Sequence, residues 1–187
     1  TDRTLPARRH RLGTEMEGGK EVRKVVADTG PILHLHEAEA LQLLALVGEV
    51  FIPEAVQAEL NSLLPGWEHI KPDWLKVHPL SSPLREEAMN WVSAQLLNVG
   101  EAEAISLARQ LIADWLLTDD AAARLLAQSL GLEVHGSLGV VLWAAAEGHI
   151  SYLEGEEILN RLTASSLWVS PSVILEAKEA LRKICES

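Results

Sequence analysis

Apolar and polar residues follow one another in blocks whose spacing predicts strands and helices in alternation. Residues 22–27 are rich in β-branched side chains and predict a strand that ends at Asp28. Shorter apolar runs predict further strands at 49–52, 74–78, 115–118 and 132–135. Helical periodicity predicts helices at 31–47 with a break near residue 36, 53–64, 83–97, 100–113, 121–130, 138–147, 151–164 and 171–186. Residues 65–73 are expected to form a loop.

Strands that alternate with helices of this length indicate βαβ units and a parallel sheet. The 187 residues suffice for one ordinary domain. We expect an N-terminal tail at 1–21, where Met16 is a candidate natural start preceded by expression-derived residues. The domain is then predicted at 22–187, with 151–187 as a C-terminal helical extension.

Composition and charge narrow the class of protein. The single cysteine, Cys185, cannot form an internal disulfide, which favours a reducing, cytoplasmic setting. No apolar run is long enough for a membrane helix, and no signal peptide is recognised. The net charge of −11 argues against broad, tight binding to nucleic acid, but not against an enzyme whose metal ions supply positive charge locally.

Acidic residues stand at the predicted carboxyl ends of two strands. Asp28 follows the first strand, and Asp119 and Asp120 follow the strand at 115–118. Parallel α/β sheets place their sites at this edge, so these carboxylates are expected to face a common crevice.

Helical phase selects among the glutamates of two helices. Glu59 flanks the apolar stripe of the helix at 53–64, whereas Glu54 falls on its solvent face. In the next acidic stretch, Glu101 lies within the buried arc and Glu103 on the far side with Gln110. Both glutamates could instead complement the dipole at the helix N-terminus.

Carboxylates gathered in one pocket raise one another's pKa, and a hard divalent cation relieves that conflict. A site made of carboxylates, without an ordered His or Cys set, favours Mg²⁺ or Mn²⁺ over Zn²⁺. The seven histidines are interpreted as surface or structural residues. Motifs for serine hydrolases, dinucleotides and P-loops are absent from the sequence. A phosphate-accepting receiver or phosphatase is disfavoured because Thr29 and Gly30 follow Asp28.

Five sequence blocks, in order, resemble those of the PIN-domain family. The resemblance is carried by 25–32, where a strand ends in Asp-Thr, by 52–60, 100–108 and 116–120 followed by Ala123 and Arg124, and by 132–140. The resemblance covers about residues 22–150. Within the family, the blocks are similar both to those of VapC-like toxin ribonucleases and to those of an uncharacterised PIN subgroup.

The resemblance implies an α/β, three-layer fold with a central parallel sheet of about four to five strands and helices on both faces. It assigns the acid positions to Asp28, Glu59, Glu101 and either Asp119 or Asp120. Spacing from Glu101 favours Asp119, and the Thr-x-Asp pattern that begins at Thr118 favours Asp120. The supporting positions are Thr29, Thr118, Glu103 and Ser137. Ser137 stands where some relatives carry a further acid, so the number of metals that the site binds, one or two, stays open.

The leading hypothesis is a Mg²⁺- or Mn²⁺-dependent endoribonuclease. Asp28, Glu101 and Asp120 or Asp119 would hold the metal, and Glu59 would position or deprotonate the attacking water. As a VapC-like toxin the protein would be a homodimer with an antitoxin partner, and its acidic surface suits a basic one. The alternative is a non-catalytic nucleic-acid-binding or protein-interaction module with the same fold.

Overall fold

The computed structural model describes residues 21–187, so the predicted tail lies almost entirely outside the described part of the chain. The strands are β1 Lys24–Ala27, β2 Glu49–Ile52, β3 Leu75–Val77, β4 Trp115–Leu117 and β5 Val134–His135. The helices are α1 Thr29–Glu37, α2 Leu43–Val47, α3 Glu54–Leu63, α4 Trp67–Ile70, α5 Ser82–Ser93, α6 Val99–Gln110, α7 Ala121–Ser129, α8 Ser137–Ala146, α9 Tyr152–Ala164 and α10 Pro171–Glu186.

The five strands form one parallel sheet in the order β3-β2-β1-β4-β5. The central strand β1 pairs with β2 on one side and with β4 on the other. The strand order therefore reverses between β1 and β4, which is where open α/β sheets form a crevice at the carboxyl ends of their strands.

Both faces of the sheet are covered, because alternate side chains of the strands enter two separate apolar cores. Val25 and Ala27 of β1 belong to one core, with α1, α2, α8, α9 and α10. Val26 belongs to the other, with residues of α5, α6 and α7. Strands buried on both faces are characteristic of parallel sheets between helical layers. The predicted three-layer α/β fold with four to five parallel strands is confirmed.

Most predicted elements are present within a few residues of their expected bounds. The break predicted near residue 36 is confirmed, since α1 ends at Glu37 and α2 begins at Leu43. Gly131 and Gly148 follow helix ends with φ of 82° and 75°, the left-handed conformation that glycine adopts without a steric penalty.

The prediction of a loop over 65–73 is wrong. These residues contain α4, whose Trp67 is only 1% exposed. The indole Nε1 of Trp67 donates a hydrogen bond to the side-chain oxygen of Gln57 on α3 at 3.0 Å. A single helical turn has no detectable periodicity, and tertiary burial of one aromatic ring holds it in place.

The C-terminal helices belong to the core. Leu159 and Leu162 of α9 and Leu181 of α10 are fully buried, and these helices pack against α8. Within residues 21–187, no helix combines the length and apolar character needed to cross a membrane.

Candidate active site

Asp28 and Thr118 lie side by side where β1 and β4 end. Ala27 pairs with Leu117, so the next residues of the two strands are Asp28 and Thr118. The Thr118 hydroxyl donates a hydrogen bond to Asp28 Oδ2 at 3.1 Å, and Thr29 N donates to Asp28 Oδ1 at 2.7 Å. Asp28 thereby caps the N-terminus of α1 and is only 5% exposed. Strand register and helix capping together fix this carboxylate.

Glu59 is brought to the same crevice by α3, which follows β2. The hydroxyl of Thr29 donates a hydrogen bond to Glu59 Oε2, and Gly100 N donates to Glu59 Oε1 at 3.1 Å. A Cβ at Gly100 would lie 2.5 Å from each of these carboxylate oxygens, so only glycine leaves room for them. Glu54 is exposed, in agreement with the helical phase.

Glu101 enters from the first turn of α6. It forms a capping box with Asn98: Glu101 N donates to Asn98 Oδ1 at 2.8 Å, and Asn98 N donates to Glu101 Oε2 at 3.0 Å. Burial raises the pKa of Glu101, and the nearby charges of Asp120 and Glu59 raise it further. Glu101 therefore caps the N-terminus of α6 and also lies among the other carboxylates. The interpretation as an inward acid and the interpretation as a helix N-terminal residue are thus compatible.

Asp119 and Asp120 have different surroundings although they are adjacent in sequence. Asp120 caps α7, because its Oδ1 accepts a hydrogen bond from Ala123 N at 2.8 Å, and its charge acts on Glu101. The carboxylate of Asp119 is instead engaged by Ser137, whose N–H and hydroxyl donate to it at 2.7 Å and 2.5 Å. Asp119 is thus bound to the N-terminus of α8, and Asp120 is the one that neighbours the remaining acids.

His34 adjoins this site through Asp119, a contact compatible with the interpretation of the histidines as surface or structural residues. Its Nδ1 lies 2.7 Å from Asp119 Oδ2, and its side chain is 12% exposed. The spacing of His34 and His36 gave no indication of this contact. The available signal was the position of His34 on the first helix after Asp28, one turn beyond Gly30, whose missing side chain leaves space beside His34 and Asp119.

Glu103, predicted on the far side of the helix from the buried arc, is half-buried and accepts a hydrogen bond from Ala55 N at 3.1 Å. It therefore satisfies a free N–H in the first turn of α3, because α3 packs on that side of α6. Glu103 does serve a helix N-terminus, but that of the neighbouring helix.

Four carboxylates thus share one crevice, and none of them pairs with a cationic side chain of residues 21–187. The pKa of Asp28 is raised from 3.8 to about 7, chiefly by burial and further by the charges of Glu101 and Glu59. The hydrogen bonds from Thr29 and Thr118 lower this pKa and offset only part of the rise. Among residues 21–187, no Lys, Arg or His nitrogen lies within 4.0 Å of the carboxylates of Asp28, Glu59, Glu101 and Asp120. The folded chain holds these acids together against their mutual repulsion.

A family model described as PIN domain matches residues 24–183. The chain belongs to the PIN-domain family. No curated protein and no solved structure matches the chain. The family match extends past residue 150 and includes α9 and most of α10. PIN domains are generally nucleases, so membership indicates a nuclease-type function and nucleic-acid binding.

The donor set of this PIN domain fits a hard divalent cation, because every acid of the crevice offers carboxylate oxygens. Glu101 Oε1 and Asp120 Oδ2 have no hydrogen-bond partner within residues 21–187. In the same residues, no three His, Cys, Asp or Glu side chains form a preassembled metal cluster. A cation would therefore have to draw the carboxylates closer. A surface cleft of about 780 Å³ lies at the opposite edge of the sheet beside Lys24, Asp114 and Trp115, and contains none of these acids.

Proposed function

We propose that this PIN domain is a Mg²⁺- or Mn²⁺-dependent endoribonuclease in which Asp28, Glu101 and Asp120 hold the metal. The observation that carries the proposal is the group of carboxylates at the switch point of the sheet, which no cationic side chain of residues 21–187 neutralises, with the pKa of Asp28 raised to about 7. Such a cluster destabilises the folded protein unless protons or a cation neutralise it. Asp120 is preferred to Asp119 because Asp119 is already engaged by Ser137 and His34.

When bound, the metal would polarise a phosphodiester oxygen and lower the pKa of a coordinated water. The protein's own contribution is to hold the acids in place before substrate arrives. Thr118 orients the Asp28 carboxylate, and Thr29 and the backbone of Gly100 orient Glu59. A carboxylate held from both sides is suited to orient the attacking water or to accept its proton.

The decisive experiment measures cleavage of a single-stranded RNA with Mg²⁺ or Mn²⁺ and with a chelator. Asp28→Asn, Glu101→Gln and Asp120→Asn should each lower the rate by about a hundredfold or more. Glu54→Gln, on the exposed face of α3, is the matched control and should retain the parent rate. Full activity in chelator, or in Asp28→Asn, would contradict the proposal.

Metal binding is tested separately from cleavage by thermal unfolding. A cation that binds only the folded state raises the free energy of unfolding by RT ln(1 + [M]/Kd), where [M] is the free cation concentration. Millimolar Mn²⁺ should raise the melting temperature of the parent protein but not that of Asp28→Asn. Absence of any stabilisation, together with RNA binding but no cleavage, would favour the non-catalytic nucleic-acid-binding module.

A role as the toxin of a toxin–antitoxin pair, with a basic antitoxin and a homodimeric state, stays a prediction from the family resemblance. The acid crevice and the net charge of −11 suit a basic partner. Induced expression of the full chain with and without the product of the neighbouring gene would test it. Growth that is unaffected by the chain alone would contradict a toxin role.

A further inference from the structure

Three donors from two helices hold the carboxylate of Asp119. Ser137 N donates to Asp119 Oδ1 at 2.7 Å, and the Ser137 hydroxyl donates to Oδ2 at 2.5 Å. His34 Nδ1 lies 2.7 Å from the same Oδ2. Because an ionised carboxylate can only accept hydrogen bonds, this contact assigns the ring proton of a neutral His34 to Nδ1, which donates it to Asp119. The Asp119 carboxylate is therefore tied to α1 as well as to α8.

The contact between His34 and Asp119 is sheltered from solvent. Both side chains pack beside Gly30, where a Cβ would lie 3.4 Å from His34 Cε1 and 3.6 Å from Asp119 Cβ. The two side chains are only 12% and 10% exposed. A hydrogen bond to an ionised acceptor is strong in such surroundings, so it fixes the geometry of both partners.

Asp119 is the middle residue of the connection between β4 and α7, which consists of residues 118–120. The hydroxyl of Thr118 donates a hydrogen bond to Asp28 Oδ2 at 3.1 Å and accepts one from Asp120 N at 3.2 Å. The connection thus contains one proposed metal ligand, Asp120, and the residue that orients another, Asp28. A shift of Asp119 is passed directly to both of its neighbours, because planar peptide bonds join them.

Two hydrogen bonds join this connection to the segment that begins at Asp28. One runs from Thr118 to Asp28 at the end of β1, and the other runs from His34, in the second turn of α1, to Asp119. A single link would leave the connection free to turn relative to α1. Ser137 does not prevent that movement, since it binds Asp119 from α8.

We propose that His34 is a positioning residue of the metal site, whose hydrogen bond to Asp119 holds residues 118–120 against α1 and so keeps Asp28 and Asp120 aligned for one cation. The inference rests on the proposed nuclease function, because it concerns the metal that this function requires. Ligands that are held in place lose less conformational freedom when they bind a cation. Residues that orient metal ligands typically change the affinity for the metal by about 10–100-fold.

The test measures the Mn²⁺ affinity of the full chain by isothermal titration calorimetry. His34→Leu removes the donor and should weaken Mn²⁺ binding by about tenfold. His34→Asn keeps an N–H donor near the position of Nδ1, since both nitrogens are bonded to Cγ, and should stay within about threefold of the parent. His36→Leu, two residues further along α1, is the matched control and should leave the affinity unchanged.

RNA cleavage gives a second readout. In His34→Leu, the Mn²⁺ concentration for half-maximal cleavage should rise about tenfold, whereas the rate at saturating Mn²⁺ should stay within about threefold of the parent rate, because excess metal restores occupancy. Melting curves in chelator show whether His34→Leu is folded. If it is not, His34→Gln replaces it, since its amide nitrogen lies one bond further from the backbone than Nδ1 does.

The outcomes separate the role of His34 from the nuclease function. Equal Mn²⁺ affinity of His34→Leu and the parent would overturn the positioning role and leave the nuclease function intact. Equal losses in His34→Leu and His34→Asn would also overturn it, because ring packing and not the hydrogen bond would then carry the effect. If the parent binds Mn²⁺ but cleaves no RNA, the nuclease function is contradicted and the calorimetric comparison still decides the role of His34. Absence of Mn²⁺ binding by the parent would overturn both.

Discussion

Ser137 donates two hydrogen bonds to the carboxylate of Asp119, at 2.7 Å from its N–H and 2.5 Å from its hydroxyl. Gly136, the N-cap residue of α8, has no side chain, so Asp119 supplies from β4 the acceptor that the helix lacks. Together with His34, this links the end of β4 to α1 and α8. Asp119 is therefore engaged at both α1 and α8, whereas the side chain of Asp120 accepts a hydrogen bond only from α7 among residues 21–187.

The two aspartates should respond differently to removal of their charge. Asp119→Asn is expected to destabilise the fold by about 1–3 kcal/mol, because its bonds to Ser137 and His34 are weakened. Asp120→Asn should abolish cleavage with little effect on folding, since Asn also caps helices well. Chemical denaturation and RNA cleavage measured on both variants check this. Ser137→Ala should reproduce the stability loss of Asp119→Asn, and the reverse pattern would make Asp119 the ligand.

The stability of the protein without metal should fall as the pH rises. The pKa of Asp28 is about 7 when folded against an ordinary value of 3.8, so the folded state binds more protons between pH 4 and 7. The free energy of unfolding therefore decreases through this window, and the penalty is complete above pH 7. Asp28→Asn removes it and should be more stable than the parent at pH 8, by on the order of 4 kcal/mol.

Urea unfolding in chelator at pH 4, 6 and 8 measures this effect. The gain from Asp28→Asn should be absent at pH 4 and largest at pH 8, and Mn²⁺ should diminish it by stabilising the parent. The exposed Glu54→Gln provides the control and should show no trend with pH. A gain that does not change with pH would disprove the burial of an ionisable carboxyl at residue 28.

Gly100 is expected to be required for the position of Glu59. Gly100→Ala would place a methyl group 2.5 Å from both oxygens of Glu59 and displace that carboxylate. Cleavage should fall about tenfold or more, while stability changes little, because alanine favours the helix. Glu59→Gln combined with Gly100→Ala should lose no more activity than Glu59→Gln alone. Additive losses would show that Gly100 acts elsewhere.

Two tryptophans should differ sharply in their contribution to stability. Trp67→Ala removes a ring that is 1% exposed and leaves a cavity, at an expected cost of about 3–5 kcal/mol. Trp168→Ala removes a ring that is 87% exposed and should change the free energy of unfolding by less than about 0.5 kcal/mol. Denaturant unfolding of both variants measures the difference. Equal effects would mean that α4 is not packed as described.

Strand positions, helix phase and the exposure of Glu54 followed from the sequence because each depends on local periodicity. The strand-end location of Asp28 and Asp120 followed from the general geometry of parallel sheets. The choice between Asp119 and Asp120 could not be made this way. Both follow the same strand, and only the position of Ser137, brought to the strand end by β5, distinguishes them.

Contacts between distant segments could not be inferred from the sequence. For Glu103, helical phase identifies a polar face but not the helix that packs against it. For His34, sequence spacing does not reveal a partner 85 positions later. The loop prediction for 65–73 missed Trp67 because its burial depends on α3.

The sequence by itself determined the parallel α/β class, the family blocks and the set of acids, because hydrophobic period and strand-end position are local properties of the chain. Tertiary structure decided which acids meet, which ones serve as helix caps, and how far the pKa of Asp28 rises. Those outcomes depend on the burial and mutual distance of charges from four different segments. Only the folded sheet order, with β1 beside β4, brings these segments together.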